Sequence, residues 1–401
     1  MRKRRRGCLR YFIIIIVFGA LLSVFPAVKE LRVGQGVSEK KNSESGENVP
    51  YQEISVEEES LVNKYYYGLL DTDEREVYKE IVQGMMAGED EIYVHCKDAG
   101  QANRILSEVL KDYPDIFWCD GEVSSTVYER GAGSEAYTVV APVYNCQLKE
   151  KQSRQEQIDA AVSETLQGIS MDASEYEKIL YVYEYIVNTV TYDLEAPDNQ
   201  NIYSVFVGKR SVCAGYAKAV QYLLEQLNIP VIYATGTANG QNAHAWNLVK
   251  CDGAYYHVDS TWGDPVYQME EESPLWDSIS YDYMCCDDRE VYRTHTADPE
   301  YPLPECTDMK WNYYVVNGMY YDRYDRDEAL AVLNERIYEQ ANPTVFKYAD
   351  ENSYQQARDE ILGDLIYRAA QNLCSIYGME QAGYYYSEQP ELCKLTVYWQ
   401  Y

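Results

Sequence analysis

A helical pattern of apolar residues follows Cys213. The apolar positions recur at intervals of three or four residues, the spacing that places side chains on one face of an α-helix. They are Ala217, Val220, Leu224 and Leu227. The helix is expected to end before Pro230, because proline cannot continue a helix and biases the residue before it toward extended structure. The apolar run 231–236 then predicts a strand, so Cys213 is expected in the first turn of a helix that leads into a sheet.

Two further apolar runs, 244–251 and 254–259, are joined by Asp252-Gly253. This dipeptide between two such runs is a strong signal for a β-hairpin. Pairing outward from the turn brings residues that are distant in sequence into cross-strand register. His244 and Asp259 are therefore expected to face each other on neighbouring antiparallel strands.

Helical and strand-like patterns elsewhere predict an α+β protein with modules on both sides of this region. Helices are predicted over 73–86, 98–111, 149–166, 174–189, 327–340 and 354–373, and strands near Ile92, over 122–146 and as a pair about Asn317-Gly318. The predicted organisation is an N-terminal α/β module (61–148), a central domain that contains Cys213 and the hairpin (149–304), and a C-terminal α+β module (305–401).

Cys213, His244 and Asp259 supply a thiol, an imidazole and a carboxylate in that chain order. A thiol attacks acyl groups as the thiolate, and an imidazole within hydrogen-bonding reach takes its proton and pairs with the resulting charge. A carboxylate holds the imidazole in one tautomer and orientation. The N–H groups at a helix N-terminus favour a negative sulfur and can bind an oxyanion. The pattern predicts acyl transfer at Cys213.

Three sequence boxes resemble the core of the transglutaminase-like superfamily: VCAGY at 212–216, NAHAWN at 242–247 and YHVDSTW at 256–262. The resemblance covers roughly 172–265. It implies a papain/transglutaminase-like core, in which a helix bearing the cysteine packs on an antiparallel sheet bearing the histidine and the aspartate. It also implies that Cys213 is the nucleophile, His244 the general base and acid, and Asp259 the group that orients His244. The preceding segment QNIY suggests Gln200 as an oxyanion or positioning residue.

Other residues near these boxes have both a structural and a functional interpretation. His257 lies two positions before Asp259 and so on the same strand face, where it could contact substrate or support the site. Trp246 and Trp262 are expected as core or cleft-wall aromatics, and their functional role would be to shield the His–Asp pair from water. His295 lies in the polar segment RTHTADP, which is typical of an exposed loop.

No metal or cofactor is expected. The 11 cysteines contain no C-x-x-C pair, and the sequence has no H-E-x-x-H, Walker A or dinucleotide-binding motif. The formal net charge of -30 also makes nucleic acid an unfavourable partner.

The N-terminus predicts export. Basic residues within the first ten positions precede an uncharged run over 11–28, which is at the lower length limit of a membrane-spanning helix. A retained signal anchor over 1–30 is favoured over a cleaved signal peptide, because the position three residues before a cleavage site after Ala27 holds Phe25. The Glu/Ser/Gly/Asn-rich stretch 31–60 is expected to be a flexible linker. The chain is then a single-pass protein of the cell membrane, or a secreted one after cleavage, with its catalytic part outside the cytoplasm.

Two functions are compatible with the sequence. The first is an extracytoplasmic cysteine enzyme that forms a thioester with peptide or protein amides, cell-wall peptides among them, and passes the acyl group to water or to an amine. The alternative is a catalytically idle surface scaffold that keeps the fold and binds cell-wall or host polymers through its tyrosine-rich flanks, in a chain with 42 tyrosines.

Overall fold

The computed structural model describes residues 36–42, 49–129, 136–170, 172–240, 242–264 and 279–401. The predicted signal anchor over 1–30 lies outside these ranges. Within them, no helix combines the length and the apolar character that crossing a lipid bilayer requires. Two compact units are present, one over 25–311 and one that contains 312–401.

The first unit begins with a four-stranded sheet of order β1-β3-β4-β2. Its strands are β1 (Gly36–Asn42), β2 (Ile92–Val94), β3 (Cys119–Glu129) and β4 (Tyr137–Tyr144). Its helices are α1 (Tyr65–Leu69), α2 (Thr72–Ala87) and α3 (Ala99–Asp112). The expectation of a linker without regular structure over 31–60 was wrong for β1, which pairs in parallel with β3. This stretch is polar and has no apolar alternation that would predict a strand. The strand forms through backbone pairing with a partner more than 80 positions away, which the local sequence does not show.

The core of the first unit combines three helices with a five-stranded sheet. The helices are α4 (Leu148–Leu166), α5 (Glu175–Thr189) and α6 (Cys213–Gln226). The strands are β5 (Thr191–Tyr192) and β6 (Arg210–Ser211), which pair with each other, then β7 (Val231–Ala238), β8 (Asn242–Cys251), β9 (Ala254–Val258), β10 (Met284–Cys286) and β11 (His295–Ala297). The last five form one sheet of order β10-β9-β8-β7-β11. A short helix, α7 (Asp288–Val291), separates β10 from β11.

The predicted hairpin has the expected register. Cys251 pairs with Ala254 across a turn whose two central residues have positive φ, and Leu248 pairs with His257. Helix α6 packs on this sheet through Ala217, which clusters with residues of β7 and β8. The side-chain amide of Asn247 donates a hydrogen bond of 3.0 Å to the Ala217 carbonyl. The cysteine helix is thereby fixed to the strand that carries His244.

The second unit is α+β. Its helices are α8 (Tyr313–Val316), α9 (Arg326–Tyr338), α10 (Glu351–Glu360) and α11 (Ile366–Tyr377), with a π-helical turn at Ile361–Leu365. Its strands are β12 (Tyr320–Tyr321), β13 (Thr344–Tyr348), β14 (Gly383–Gln389) and β15 (Lys394–Gln400), in the order β12-β13-β15-β14. The predicted hairpin about Asn317-Gly318 was wrong, because Asn312 caps a helical turn over 313–316 by accepting the Tyr314 N–H. The α+β class predicted for the whole chain is confirmed.

Candidate active site

Cys213 is the first residue of α6, and its side chain is buried with 2% exposure. The residue before it, Val212, has extended backbone and donates its N–H to the Asn199 carbonyl at 3.3 Å. Gly215 lets this helix start approach the preceding segment, since a Cβ there would lie 1.9 Å from Ser211 Oγ. The thiol is therefore held at the end of α6 where backbone N–H groups lack helical partners.

His244 lies on β8 opposite Gly236 of β7. A Cβ on Gly236 would lie 2.0 Å from the Thr296 carbonyl oxygen, so only glycine allows β11 to approach here. The imidazole Nε2 of His244 lies 2.7 Å from Asp259 Oδ2, and the His244 side chain also interacts electrostatically with Cys213. Because Nε2 is used by the carboxylate, Nδ1 is the nitrogen available to the sulfur.

Asp259 is 1% exposed and accepts four hydrogen bonds. Oδ1 accepts the backbone N–H groups of Thr261 at 2.9 Å and Trp262 at 3.2 Å. Oδ2 accepts from His244 at 2.7 Å and from His295 at 3.0 Å. A buried carboxylate with this many donors is ionised and fixed in orientation.

The charges of the pair stabilise each other. Burial opposes the imidazolium form, but attraction to Asp259 and the hydrogen bonds with Asp259 and Cys213 raise the pKa of His244 to about 10. Burial likewise opposes the carboxylate, but His244 and His295 hold the pKa of Asp259 well below its usual range. At neutral pH the site therefore contains an imidazolium next to a carboxylate.

His295 was expected on the surface, and this prediction was wrong. The residue is 2% exposed, begins β11 opposite Ala238 of β7, and its Nε2 reaches Asp259. The polar neighbours in the sequence gave no sign of burial, because β11 is three residues long and its alternation is too short to detect. The scarcity of histidine, with only 4 in the chain, was the one available signal.

His257 is buried on the far side of Trp246 from His244. Its Nδ1 lies 3.0 Å from Trp246 Nε1, and its Nε2 lies 2.8 Å from Asp288 Oδ1. Indole nitrogen can only donate a hydrogen bond, so Nδ1 of His257 is an acceptor and Nε2 carries the proton given to Asp288. Both ring nitrogens are occupied, so the substrate-contact role considered for His257 has no free donor or acceptor on this ring.

Trp246 and Trp262 enclose His244. Their rings lie 6.1 Å from the imidazole centroid, Trp246 nearly parallel to it and Trp262 nearly edge-on. Trp246 is 1% exposed and Trp262 is 8% exposed. The two rings are thus core aromatics that also exclude water from one side of the imidazole.

Gln200 is half-buried in the segment that precedes α6. Its amide lies 3.5 Å from Asn199 Oδ1, and the carbonyl of the same Asn199 accepts the N–H of Val212. The structure thus places Gln200 one residue from a backbone contact of the cysteine helix start.

Three clusters of the described residues bring metal-type donor atoms within 4.8 Å of one another: His244/Asp259/His295, His257/Asp288/Cys306 and Glu76/Glu80/His95. In the first two, each histidine Nε2 is engaged with a carboxylate, which accepts and cannot donate. Those nitrogens therefore carry protons that a metal ion would have to displace.

A buried thiol at a helix start, a histidine on an antiparallel strand and an aspartate bonded to it define the papain/transglutaminase-like fold class. Residues 162–260 match the model of the transglutaminase-like superfamily, so this part of the chain is a transglutaminase-like domain, as the sequence boxes predicted.

Among known proteins, the chain is similar to the kyphoscoliosis peptidase of Mus musculus, with 24% identity over 123 residues. The alignment covers 26% of this chain and 19% of the mouse protein, so the chain spans about a fifth of that relative. Among solved structures it is similar to a TGase (12% identity, 39% of this chain and 55% of that one, TM-score 0.27). It is also similar to the periplasmic domain of TgpA from Pseudomonas aeruginosa (17% identity, 32% and 54%, TM-score 0.22).

Proposed function

We propose that the protein is a cysteine-dependent acyl transferase or hydrolase acting on peptide or protein amides. The observation that carries this proposal is the position of His244, which interacts with the Cys213 side chain and lies 2.7 Å from a carboxylate oxygen of the ionised Asp259. This is the arrangement in which an imidazole can accept a thiol proton and later return it. Nothing in this chemistry requires a cofactor.

In the proposed reaction, Cys213 Sγ attacks the carbonyl carbon of an amide and the electron pair moves onto the oxygen. The C–N bond then breaks, His244 gives its proton to the leaving amine, and a thioester remains on Cys213. Water or a primary amine next attacks the thioester carbon and gives a proton to the now neutral His244, the C–S bond breaks, and an acid or a new amide is released as the Cys213 thiolate and the His244 imidazolium are restored. Backbone N–H groups at the start of α6 and the side-chain amide of Gln200 are the proposed donors to the oxyanion.

The site of action proposed is outside the cytoplasm. The support is the N-terminal sequence, in which basic residues precede the apolar run 11–28. Substrates would then be exported or surface peptides, including cell-wall peptides, and the membrane would be a partner only through the N-terminal segment.

The test uses the intact protein with iodoacetamide at limiting concentration, followed by mass spectrometry of each cysteine-containing peptide. Cys213 is expected to be alkylated at least about tenfold faster than a buried cysteine such as Cys285, because the His244 imidazolium stabilises the Cys213 thiolate whereas burial raises the pKa of Cys285 well above its usual range. Equal labelling of Cys213 and the other buried cysteines would contradict the proposal.

Turnover is measured with p-nitrophenyl acetate and with a protein carrying glutamine amides, with and without a fluorescent primary amine. Cys213→Ala is expected to abolish both reactions, while Cys285→Ala retains them. Ammonia release without amine incorporation indicates hydrolysis, and amine incorporation indicates transamidation. Turnover that survives in Cys213→Ala sinks the enzyme proposal.

A second candidate function is polymer binding by the N-terminal sheet. Tyr93, Tyr128 and Tyr137 are half-buried on its face opposite α3, with the Tyr137 ring 6.2 Å from Tyr93 and 5.2 Å from Tyr128. Aromatic rings with polar edges are suited to glycans and peptides. Binding that is lost in Tyr93→Ala and retained in Cys213→Ala would support this scaffold function.

A further inference from the structure

His295 uses both ring nitrogens. Nε2 lies 3.0 Å from Asp259 Oδ2, and Nδ1 lies 2.9 Å from Thr294 Oγ1. The same Thr294 oxygen lies 2.8 Å from the Tyr283 hydroxyl. The side chain of His295 is fully buried, so these are its polar surroundings in the described site.

The donors and acceptors in this chain of contacts can be assigned. The ionised Asp259 carboxylate only accepts, so Nε2 of His295 carries the proton. Burial, which outweighs the attraction of Asp259, lowers the pKa of His295, so the ring is neutral near pH 7 and Nδ1 is an acceptor. Thr294 then donates its one hydroxyl proton to Nδ1 at 2.9 Å in preference to the Val291 carbonyl at 3.4 Å, and Tyr283 donates to Thr294. Hydrogen bonds run in one direction, from Tyr283 to Asp259.

The shared oxygen, Asp259 Oδ2, is the one that contacts His244. Oδ1 is already held by the backbone N–H groups of Thr261 and Trp262. Without His295, Oδ2 would keep a buried lone pair with no protein donor in the described site, and the carboxylate would be a poorer partner for an imidazolium. The rings of Trp262 and Tyr283 lie 5.0 and 5.1 Å from that of His295. An apolar side chain could fill this space equally well, so packing alone does not require a histidine here, whereas a hydrogen bond to Asp259 does require a donor.

We propose that His295 is a positioning residue for the reaction, a neutral second donor to Asp259 that keeps this carboxylate ionised and aimed at His244. The inference rests on the proposed function and adds a residue to its machinery. The titratable groups that face His295 are Asp259, His244, His257 and Tyr283. Among these four groups, Asp259 is the one that accepts a hydrogen bond from His295 Nε2. We therefore expect His295 to act on the site through Asp259 Oδ2.

The experiment measures the rate of Cys213 alkylation by iodoacetamide from pH 4 to pH 9 in the full-length protein and in four variants. His295→Gln keeps an amide N–H near the position of Nε2, whereas His295→Leu keeps the volume without a donor. His295→Asn is too short to reach Asp259 and serves if the leucine variant does not fold. His257→Gln is the matched control, a buried histidine that does not contact Asp259. Folding of each variant is checked by thermal unfolding.

The leucine and asparagine variants are expected to shift the acid limb of the profile upward by about one pH unit, because an imidazolium that Asp259 no longer holds in place stabilises the Cys213 thiolate less, and one pH unit corresponds to about 1.4 kcal/mol of that stabilisation. His295→Gln and His257→Gln are expected to keep the wild-type limb. A purely structural role would lower the melting temperature and leave the limb in place.

An unchanged limb in a folded leucine or asparagine variant overturns the role of His295 while the wild-type reactivity of Cys213 still supports the proposed function. Equal shifts in His295→Gln and His257→Gln overturn it as well, because the effect would not depend on the donor to Asp259. Loss of preferential Cys213 labelling in the wild type sinks both proposals together.

Discussion

Two histidine–aspartate pairs lie on opposite sides of Trp246, and their geometry is almost the same. His244 contacts Asp259 at 2.7 Å, and His257 contacts Asp288 at 2.8 Å. They differ in the second ring nitrogen, which is available to Cys213 in His244 and accepts the indole N–H of Trp246 in His257. A short imidazole–carboxylate contact therefore does not identify a catalytic base. What distinguishes a candidate catalytic base is the partner of its second ring nitrogen.

The carboxylates differ as well. The side chain of Asp259 is 1% exposed and has four donors, whereas that of Asp288 is 32% exposed. Asp288 accepts the Cys306 N–H at 3.1 Å in addition to His257. Because the first pair is buried, removing one partner is strongly destabilising. Because the carboxylate of the second pair is partly exposed, losing it is expected to destabilise the protein much less.

The largest expected contrast is in turnover. Asp259→Asn is expected to lower kcat/KM for p-nitrophenyl acetate by about 10³- to 10⁴-fold, because the amide no longer fixes the tautomer and charge of His244. The matched change Asp288→Asn is expected to alter it by less than about threefold, the spread that remote surface changes produce. A comparable loss in both variants would remove the functional distinction between the two pairs.

A second contrast is in stability. Asp259→Ala is expected to reduce the free energy of unfolding by about 3–5 kcal/mol, because it leaves two histidines and two backbone N–H groups without their buried acceptor. Asp288→Ala is expected to cost about 1 kcal/mol, since water can replace its partly exposed carboxylate. Urea unfolding followed by circular dichroism measures both, and an equal cost would show that burial is not what separates them.

The pH dependence of stability sharpens the difference further. The pKa of His244 is raised by folding, so its contribution is fully present below the unfolded pKa of about 6.5 and is lost as the pH rises through about 10. Between pH 7 and pH 10 the wild type is expected to lose at least about 2 kcal/mol more than His244→Gln, because each pKa unit corresponds to about 1.4 kcal/mol. Urea titrations at pH 7, 8.5 and 10 provide the comparison, and parallel curves for the two proteins would contradict it.

The smallest expected effect is at the residue between the pairs. Trp246→Phe keeps a ring against His244 but removes the donor to His257 Nδ1, at an expected cost of about 1 kcal/mol. Turnover of p-nitrophenyl acetate is expected to stay within about threefold of wild type. A larger loss of turnover than of stability would mean that His257 acts on the site through Trp246.

Several parts of the fold could be predicted because their signals are local. The helix that starts at Cys213, the turn at Asp252-Gly253 and the cross-strand approach of His244 and Asp259 all follow from periodicity and turn chemistry over fewer than 20 residues at a time. The predicted helices α2 to α5 also lie within a residue or two of their observed bounds.

The elements that the sequence failed to predict have a common feature. Strand β1, strand β11 and helix α8 are short or polar elements, and each is decided by a partner far away in sequence or by a single cap. His295 shows the consequence for function, because its burial depends on β11 adding to the edge of β7 and on Gly236 leaving room for that approach.

The sequence by itself determined the chemistry that is available: a thiol at a helix start, and an imidazole and a carboxylate on a hairpin. Tertiary structure alone decided which nitrogens and oxygens of these groups are occupied. Residue types and spacing specify which face of an element a side chain occupies. Hydrogen-bond saturation of Asp259 and the occupied nitrogens of His257 arise only when strands from distant parts of the chain meet in a buried, low-dielectric site.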